Sequence, residues 1–146
     1  MISIHDNIAD YLKQLHMPSM RGCYEQIADQ ARKEPLSYEQ YLLELLKLEC
    51  QARRQNRIAR NLRASKLPPS KTFDNFDKKR LPTKVAMHLN VLSDGSFLNR
   101  CENVLAFGNP GSGKTHLLCA IGHELIEQGR RVLFICCSQL VQDLLI

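Results

Sequence analysis

One stretch of this chain constrains its fold more than any other: GNPGSGKT, residues 108–115. It fits the pattern G-x-x-x-x-G-K-[ST] at every fixed position, and it follows a short apolar run, NVLAF (103–107). Glycines in such a loop allow backbone angles that point successive N–H groups into one concavity. A helix that begins there adds free N–H donors and the positive end of its dipole. The sequence therefore predicts a strand, a phosphate-holding loop and a helix, in that order.

The predicted nucleotide contacts come from the loop itself. Lys114 can reach the β- and γ-phosphates, and the Thr115 hydroxyl can ligate Mg²⁺. The candidate cofactor-binding residues are Gly108, Asn109, Pro110, Gly111, Ser112, Gly113, Lys114 and Thr115.

The residues after the loop continue the same alternation. A helix is expected over 114–128, a second buried strand over 132–136, and a last helix that Ser138 can cap. The order β-α-β-α is the beginning of a parallel α/β sheet. The predicted fold class is therefore α/β, with an incomplete phosphate-loop sheet after an all-α N-terminal domain.

Nucleotide hydrolysis requires more than this loop. The metal and the attacking water are usually held by acids at the end of a later strand. After Thr115 the only acidic residues are Glu124, Glu127 and Asp143, and none follows an apolar strand. We therefore expect no catalytic residue in this chain.

The N-terminal part has helical periodicity. Apolar spacing predicts helices over about 4–15, 19–33 and 38–64. In the first of these, Ile4, Ile8, Tyr11, Leu12 and Leu15 are expected to share the inner face. Ser37 and Gln40 of SYEQ have the spacing of a capping box, in which each side chain satisfies the other's free backbone N–H.

Composition sets the predicted domain limits. Residues 1–66 are read as a helical domain and 67–82 as a basic, proline-rich linker, in which Phe73 and Phe76 are expected to dock. Residues 83–146, which begin with a helix over 83–92, are read as the partial α/β domain.

Charge is unevenly distributed. Residues 51–84 contain eleven Lys and Arg against two acids, a local charge of +9, whereas the other residues sum to −4. A polyanion partner is expected for this basic segment. The candidate DNA-binding residues are Arg53, Arg54, Arg57, Arg60, Arg63 and Lys66, with Lys71, Lys78, Lys79 and Arg80 beyond them. Contacts of this kind would ignore base sequence, and a solvated helix or an acidic protein partner remain alternatives.

Two classes of protein are not indicated. The chain has no long apolar run, and its first residues do not have the pattern of a secretory signal. A cytoplasmic protein that does not enter the membrane is expected.

Residues 102–135 resemble the ATP-binding core of the IstB-like transposition helper proteins. These are AAA+ ATPases encoded beside the transposase of bacterial insertion sequences, and they are related to the helicase loader DnaC. His116 after the loop is a further point of similarity, because general phosphate loops lack it. Residues 12–31, 36–68 and 72–77 resemble the N-terminal helical domain of that family and its linker.

The resemblance implies ATP and Mg²⁺ as cofactors, DNA and a cognate transposase as partners, and a homo-oligomer in the full-length form. It assigns phosphate and metal contacts to Gly108, Gly111, Gly113, Lys114 and Thr115. It also brings Phe73 and Phe76 into consideration beside the adenine, although docking is favoured for both.

Family members usually continue beyond this point, into an acidic motif, a polar sensor residue and an arginine finger. We therefore expect a C-terminally truncated helper that does not hydrolyse ATP alone, so whether the chain is an enzyme stays open. A third strand would normally lie between the two predicted ones, and without it residues 97–146 are expected to be poorly stable. The alternatives are a helicase loader in replication and a non-enzymatic helical adaptor for DNA or transposase.

Overall fold

The computed structural model describes residues 3–34, 36–78 and 81–145. It divides into two compact units, Met1–Asn56 and Arg57–Ile146. The predicted domain limits of 1–66, 67–82 and 83–146 stay predictions. Within the described ranges, no helix has both the length and the apolar character needed to cross a membrane.

The first unit is built from helices that match the predicted ones closely. It contains α1 (Ile4–Gln14), α2 (Pro18–Lys33) and the larger part of α3 (Tyr38–Ser65). The predicted capping box at the beginning of α3 is confirmed. The Ser37 backbone N–H donates to Oε1 of Gln40 at 2.9 Å, and the Gln40 N–H donates to Oγ of Ser37 at 3.2 Å.

A small core holds the first unit together. It consists of Leu12, Met20, Tyr24 and Leu45, with partly buried apolar neighbours around them. The predicted inner face of α1 is largely wrong, because Ile4, Tyr11 and Leu15 are more than half exposed. Three helices enclose one narrow core, so α1 buries a single line of contact rather than its whole apolar stripe.

The second unit contains the end of α3 and four further helices in the part of the chain that is described: α4 (Thr83–Ser93), α5 (Ser96–Asn99), α6 (Lys114–Glu127) and α7 (Cys137–Leu144). Helices near 83–92, 114–128 and the C-terminal end were predicted, and these are confirmed. The short α5 was not predicted. The predicted cap at Ser138 is wrong, because α7 begins at Cys137, so Ser138 lies inside the helix. The observed N-cap, Cys136, makes no side-chain hydrogen bond.

The second core gathers around α6. Leu67, Cys119 and Ile126 are buried together. Gly122 on α6 allows the Leu67 side chain to pack close to the helix, since a Cβ on Gly122 would lie 3.1 Å from Cδ1 of Leu67. The core therefore fixes α6 beside the segment that follows α3.

The predicted strands over 103–107 and 132–136 are not formed, so the β-α-β-α sheet expected from the sequence is not seen. Both segments lack regular secondary structure, and no backbone hydrogen bond joins them among the residues described. The Phe134 N–H instead donates to the carbonyl of Ser65 at 2.7 Å.

The physical reason lies in what a strand requires. A helix closes its own hydrogen bonds, whereas a strand needs a neighbour on at least one edge. The described chain has no third extended segment that could lie between these two and pair with both of them. An open groove of about 360 Å³ runs beside 132–135 and is bordered by Leu67, Thr115 and Leu118.

Candidate functional site

The glycine-rich loop leads directly into α6. Gly113 is the N-cap of that helix with φ of 87°, and Gly111 has φ of 77°. These angles lie in the left-handed region, where a residue with a Cβ is strained. Glycine is therefore required at both positions for the loop to turn as it does.

The beginning of α6 presents unused hydrogen-bond donors. No described residue accepts a hydrogen bond from the backbone N–H groups of Gly113, Lys114, Thr115 and His116. The first N–H groups of a helix have no partner within it, and the dipole places partial positive charge there. Four such donors next to a glycine-rich turn are suited to the oxygens of a phosphate group.

The Lys114 side chain folds over the loop. Its ammonium donates to the carbonyl oxygens of Gly108 at 2.8 Å and Asn109 at 2.7 Å. Gly108 leaves room for this arrangement, because a Cβ there would lie 3.1 Å from Oγ of Ser112 and 3.7 Å from Cδ of Lys114. The lysine is thus held at the mouth of the loop by neutral acceptors, which an anionic phosphate can replace.

Thr115 is exposed, and its hydroxyl makes no hydrogen bond with any residue that the structure describes. The N–H groups at the beginning of α6 and the Lys114 ammonium therefore fit a nucleoside triphosphate, and the hydroxyl of Thr115 is available to a hard cation such as Mg²⁺. The roles of Gly108, Asn109, Pro110, Gly111, Ser112, Gly113, Lys114 and Thr115 stay predictions.

A segment of the predicted linker is docked against the loop. Nε2 of His116 lies 3.0 Å from the carbonyl oxygen of Thr72. The Phe76 ring meets the His116 ring edge-on at 5.1 Å between centroids, and a Cβ on Gly113 would lie 3.5 Å from Phe76. The Phe73 ring meets Phe76 edge-on in turn. Docking by these two phenylalanines is thus observed, and their contact with adenine stays a prediction.

The sequence singles out His116 but does not reveal this contact. The partner is a backbone carbonyl 44 residues earlier in the chain. A carbonyl carries no residue-specific signal, so nothing in the pattern could have paired the two positions.

The acids after the loop lie in helices. Glu124 and Glu127 are exposed on α6, and the Asp143 carboxylate in α7 accepts from the Gln139 amide at 2.7 Å. No carboxylate among the described residues bonds to Lys114 or Thr115.

Arg53 and Arg54, two of the candidate DNA-binding residues, belong to the first unit. Nε of Arg53 donates to Oε1 of Glu49 at 2.9 Å, and its Nη2 donates to the carbonyl of His16 at 2.7 Å. Arg53 is therefore used inside the unit. Arg54 is exposed and has no ion-pair partner among the described residues.

Glu49 is the one buried carboxylate in the described part of the first unit. Burial works against its charged form, but hydrogen bonds from Arg53 and from the backbone N–H groups of Ser19 and Met20 outweigh it and hold the pKa of Glu49 below its usual value. These two N–H groups lie in the first turn of α2, so Glu49 ties α3 to α2.

Arg57, Arg60, Arg63 and Lys66, the other four candidates, belong to the second unit and are exposed. Arg63 donates to the carbonyl of Ala59 in its own helix at 3.4 Å. The others form no ion pair with any residue described. Lys71 and Lys78 are also described, and Nζ of Lys78 lies 5.1 Å from the centre of the Phe73 ring. Lys79 and Arg80 lie outside the described residues.

Comparison with known proteins gives a consistent result. A family model described as IstB-like ATP binding protein matches residues 10–146. A protein named as the ATP-binding protein of insertion sequence IS5376 from Geobacillus stearothermophilus is 36% identical, over 95% of this chain and 55% of its own length. An insertion sequence ATP-binding protein from Sinorhizobium fredii is 35% identical, over 99% of this chain and 50% of its own length.

A third relative is named as the ATP-binding protein of insertion sequence IS21 from Pseudomonas aeruginosa. It is 34% identical, over 92% of this chain and 51% of its own length. The chain thus spans about half the length of the curated relatives it matches. The match over residues 10–146, together with a phosphate-loop geometry that suits a nucleotide, establishes that the chain belongs to the IstB-like ATP-binding protein family.

Proposed function

We propose that this chain binds ATP with Mg²⁺ at residues 108–115 and serves as an ATP-binding helper of DNA transposition. One observation carries the proposal: four unused N–H donors, Gly113 to His116, begin α6 directly after a loop shaped by two left-handed glycines. The names of the relatives, which are insertion sequence proteins, favour transposition over replication.

Each loop residue has a distinct part in this proposal. The N–H groups of Gly113 to His116 hold phosphate oxygens, Lys114 exchanges its two carbonyl acceptors for phosphate, and Thr115 offers its hydroxyl to Mg²⁺. The docked linker, through Phe76 and His116, stiffens the beginning of α6. The bound nucleotide would supply the charge and the cleavable phosphate.

Partners follow from the same proposal. Target DNA and a cognate transposase are the partners, the basic segment 51–84 contacts DNA, and the AAA+ ring or spiral is the assembly of the full-length protein. A cytoplasmic location, where bacterial DNA lies, belongs with this role. ATP hydrolysis is not proposed for this chain alone, because the described acids after Thr115 make no contact with the loop.

The test is Mg²⁺-ATP binding to the 146-residue chain by calorimetry, beside Lys114→Ala. We expect saturable binding that the variant weakens by roughly ten- to a hundred-fold, the loss of one to two charge-assisted hydrogen bonds. Lys84→Ala, a matched change at an exposed lysine of α4, should bind as the unaltered chain does. Equal affinities in all three proteins, or no binding at all, would contradict the proposal.

Variants of Thr115 distinguish the contribution of Mg²⁺ to ATP binding from that of the nucleotide itself. Thr115→Ala should lose most of the Mg²⁺ dependence of ATP binding, whereas Thr115→Ser keeps the hydroxyl and should retain it. An Mg²⁺ dependence that is unchanged in Thr115→Ala would remove this residue from the metal site.

A further inference from the structure

We propose that the end of α3 and the turn after α6 form a single docking surface for the phosphate backbone of duplex DNA. Four guanidinium groups make it, those of Arg57, Arg60, Arg130 and Arg131, which we name the arginine surface. The sequence pattern places only Arg57 and Arg60 in the basic segment. The inference rests on the proposed role in DNA transposition and names the residues that would carry it.

Two contacts bring these distant parts of the chain together. The Arg57 guanidinium lies close to Gly129, since a Cβ there would be 3.1 Å from Nη2 and 3.5 Å from Nε. The Asn61 side-chain amide donates to the carbonyl of Arg130 at 3.1 Å, and Asn61 is buried. Asn61 thereby fixes the Gly129–Arg131 turn beside the helix that carries Arg57 and Arg60.

The four charges are left uncompensated inside the protein. All four residues are exposed, and none forms an ion pair with a residue that the structure describes. Arg130 donates to the Asn99 amide oxygen at 2.8 Å, a neutral acceptor that leaves its charge in place. Elsewhere Arg32 and Arg100 are paired with carboxylates. Four uncompensated positive charges on two neighbouring segments of the chain favour an external anion.

Helix capping accounts for only part of the arrangement. A cation beside the last turn of α6 is favoured by the helix dipole, and Arg57 against Gly129 meets that need. Arg60 lies one turn further along α3, and Arg131 points to no described acceptor. The additional charges are therefore unexplained by the fold of the unit.

The arrangement of charge favours DNA over an acidic protein. The amides of Asn61 and Asn99 are already bonded to Arg130, so the groups offered to a partner are the guanidiniums. Arginine is a usual partner of DNA phosphates, and such contacts ignore base sequence. A duplex presents phosphates at short, regular intervals along both strands, which suits positive charges carried on two neighbouring segments.

The experiment measures binding of the 146-residue chain to a labelled DNA duplex at several salt concentrations. Arg57→Gln and Arg131→Gln should each weaken binding about three- to ten-fold at low salt. Each should also lower the slope of log K against log salt by about 1. Arg100→Gln changes the net charge equally at a residue already paired with Glu102, and it should leave the slope unchanged.

Three results would overturn the arginine surface. The first is that Arg57→Gln and Arg131→Gln bind DNA with the same affinity and salt dependence as Arg100→Gln. The second is that polyglutamate competes as well as duplex DNA of equal charge. Neither of these two results would contradict the proposed ATP site. The third is that the unaltered chain does not bind DNA, and then the DNA role in the proposed function fails as well. The exposed Arg131 side chain makes no hydrogen bond or ion pair with a described residue, so its variant should keep the same helix content and ATP affinity.

Discussion

The first unit and the phosphate-loop half of the second unit differ in how far their backbone N–H and C=O groups are hydrogen-bonded. In the first unit, α1, α2 and α3 close their own bonds, and Ser37 with Gln40 caps the longest of them. In the second unit, residues 103–107 and 132–136 have strand-like sequences without a paired neighbour in the described chain.

This difference shows which features depend on local sequence. A helix and its cap are specified within a few residues, whereas a strand exists only with its partner. The loop at 108–113 belongs to the local class, because Gly111, Gly113 and the beginning of α6 set its shape. The loop of the candidate site can therefore adopt its shape although the predicted sheet beside it does not form.

The largest effect is expected in the core of the first unit. Leu45 is 4% exposed and packs with Leu12, Met20 and Tyr24. Leu45→Ala should lower the free energy of unfolding by about 2–4 kcal/mol, because it removes buried methyl groups and leaves a cavity. All four tyrosines lie in this unit, so tyrosine near-UV circular dichroism during urea unfolding reports it alone.

Leu42→Ala is the matched control, since Leu42 lies on the same helix and is half exposed. Its expected effect is below about 1 kcal/mol. Equal effects at the two positions would show that the first unit is not held by this core.

The packing of the second unit can be tested by a substitution at Gly95. Gly95 has φ of 72°, and a Cβ there would lie 2.7 Å from Cδ2 of Leu125 on α6. Gly95→Ala should destabilise this unit by about 1–3 kcal/mol through backbone strain and overpacking. Hydrogen exchange of the α6 amides should accelerate accordingly. Gly22→Ala in α2, where no atom lies within 4 Å, should cause no loss of stability.

The buried carboxylate gives the first unit a pH dependence. The pKa of Glu49 is lowered in the folded state, so its contribution is complete above pH 4.5, the ordinary value for glutamate, and is lost as pH falls through the folded pKa. Glu49→Gln should cost about 1–2 kcal/mol at neutral pH, because the hydrogen bonds to Arg53 and α2 weaken. The tyrosine signal should show this difference shrinking in acid.

Glu44→Gln provides the comparison. Glu44 pairs with Lys47 at the surface, and such pairs contribute less than about 1 kcal/mol. If Glu49→Gln lost the same stability at every pH, the carboxylate charge would not be the stabilising element.

The smallest effect concerns the cap of α3. Ser37→Ala should lower the stability of the first unit by about 1 kcal/mol, since the N–H of Gln40 loses its acceptor. Ser37→Asp keeps an acceptor and should restore most of it. Thermal unfolding followed through the tyrosines measures both variants, and an unchanged midpoint in Ser37→Ala would show that the cap is not needed.

Sequence predicted the parts of the molecule whose bonds are local. The bounds of α2, α3, α4 and α6 and the capping box at Ser37 followed from periodicity and turn chemistry. The buried polar residues did not: Glu49 and Asn61 look like surface residues until their distant partners are placed, and Ser65 is buried although its hydroxyl bonds only to nearby backbone. The approach of Arg130 to α3 was missed for the same reason.

We propose that residues 108–116 bind phosphate without a formed sheet beside them. Amide hydrogen exchange of the 146-residue chain, measured with and without saturating Mg²⁺-ATP, is the decisive experiment. ATP should slow exchange at Gly113 to His116 by roughly ten-fold or more. Residues 103–107 should exchange without protection in both states. Strong protection of 103–107 and 132–136 before ATP is added, or no change at Gly113 to His116 on binding, would contradict it.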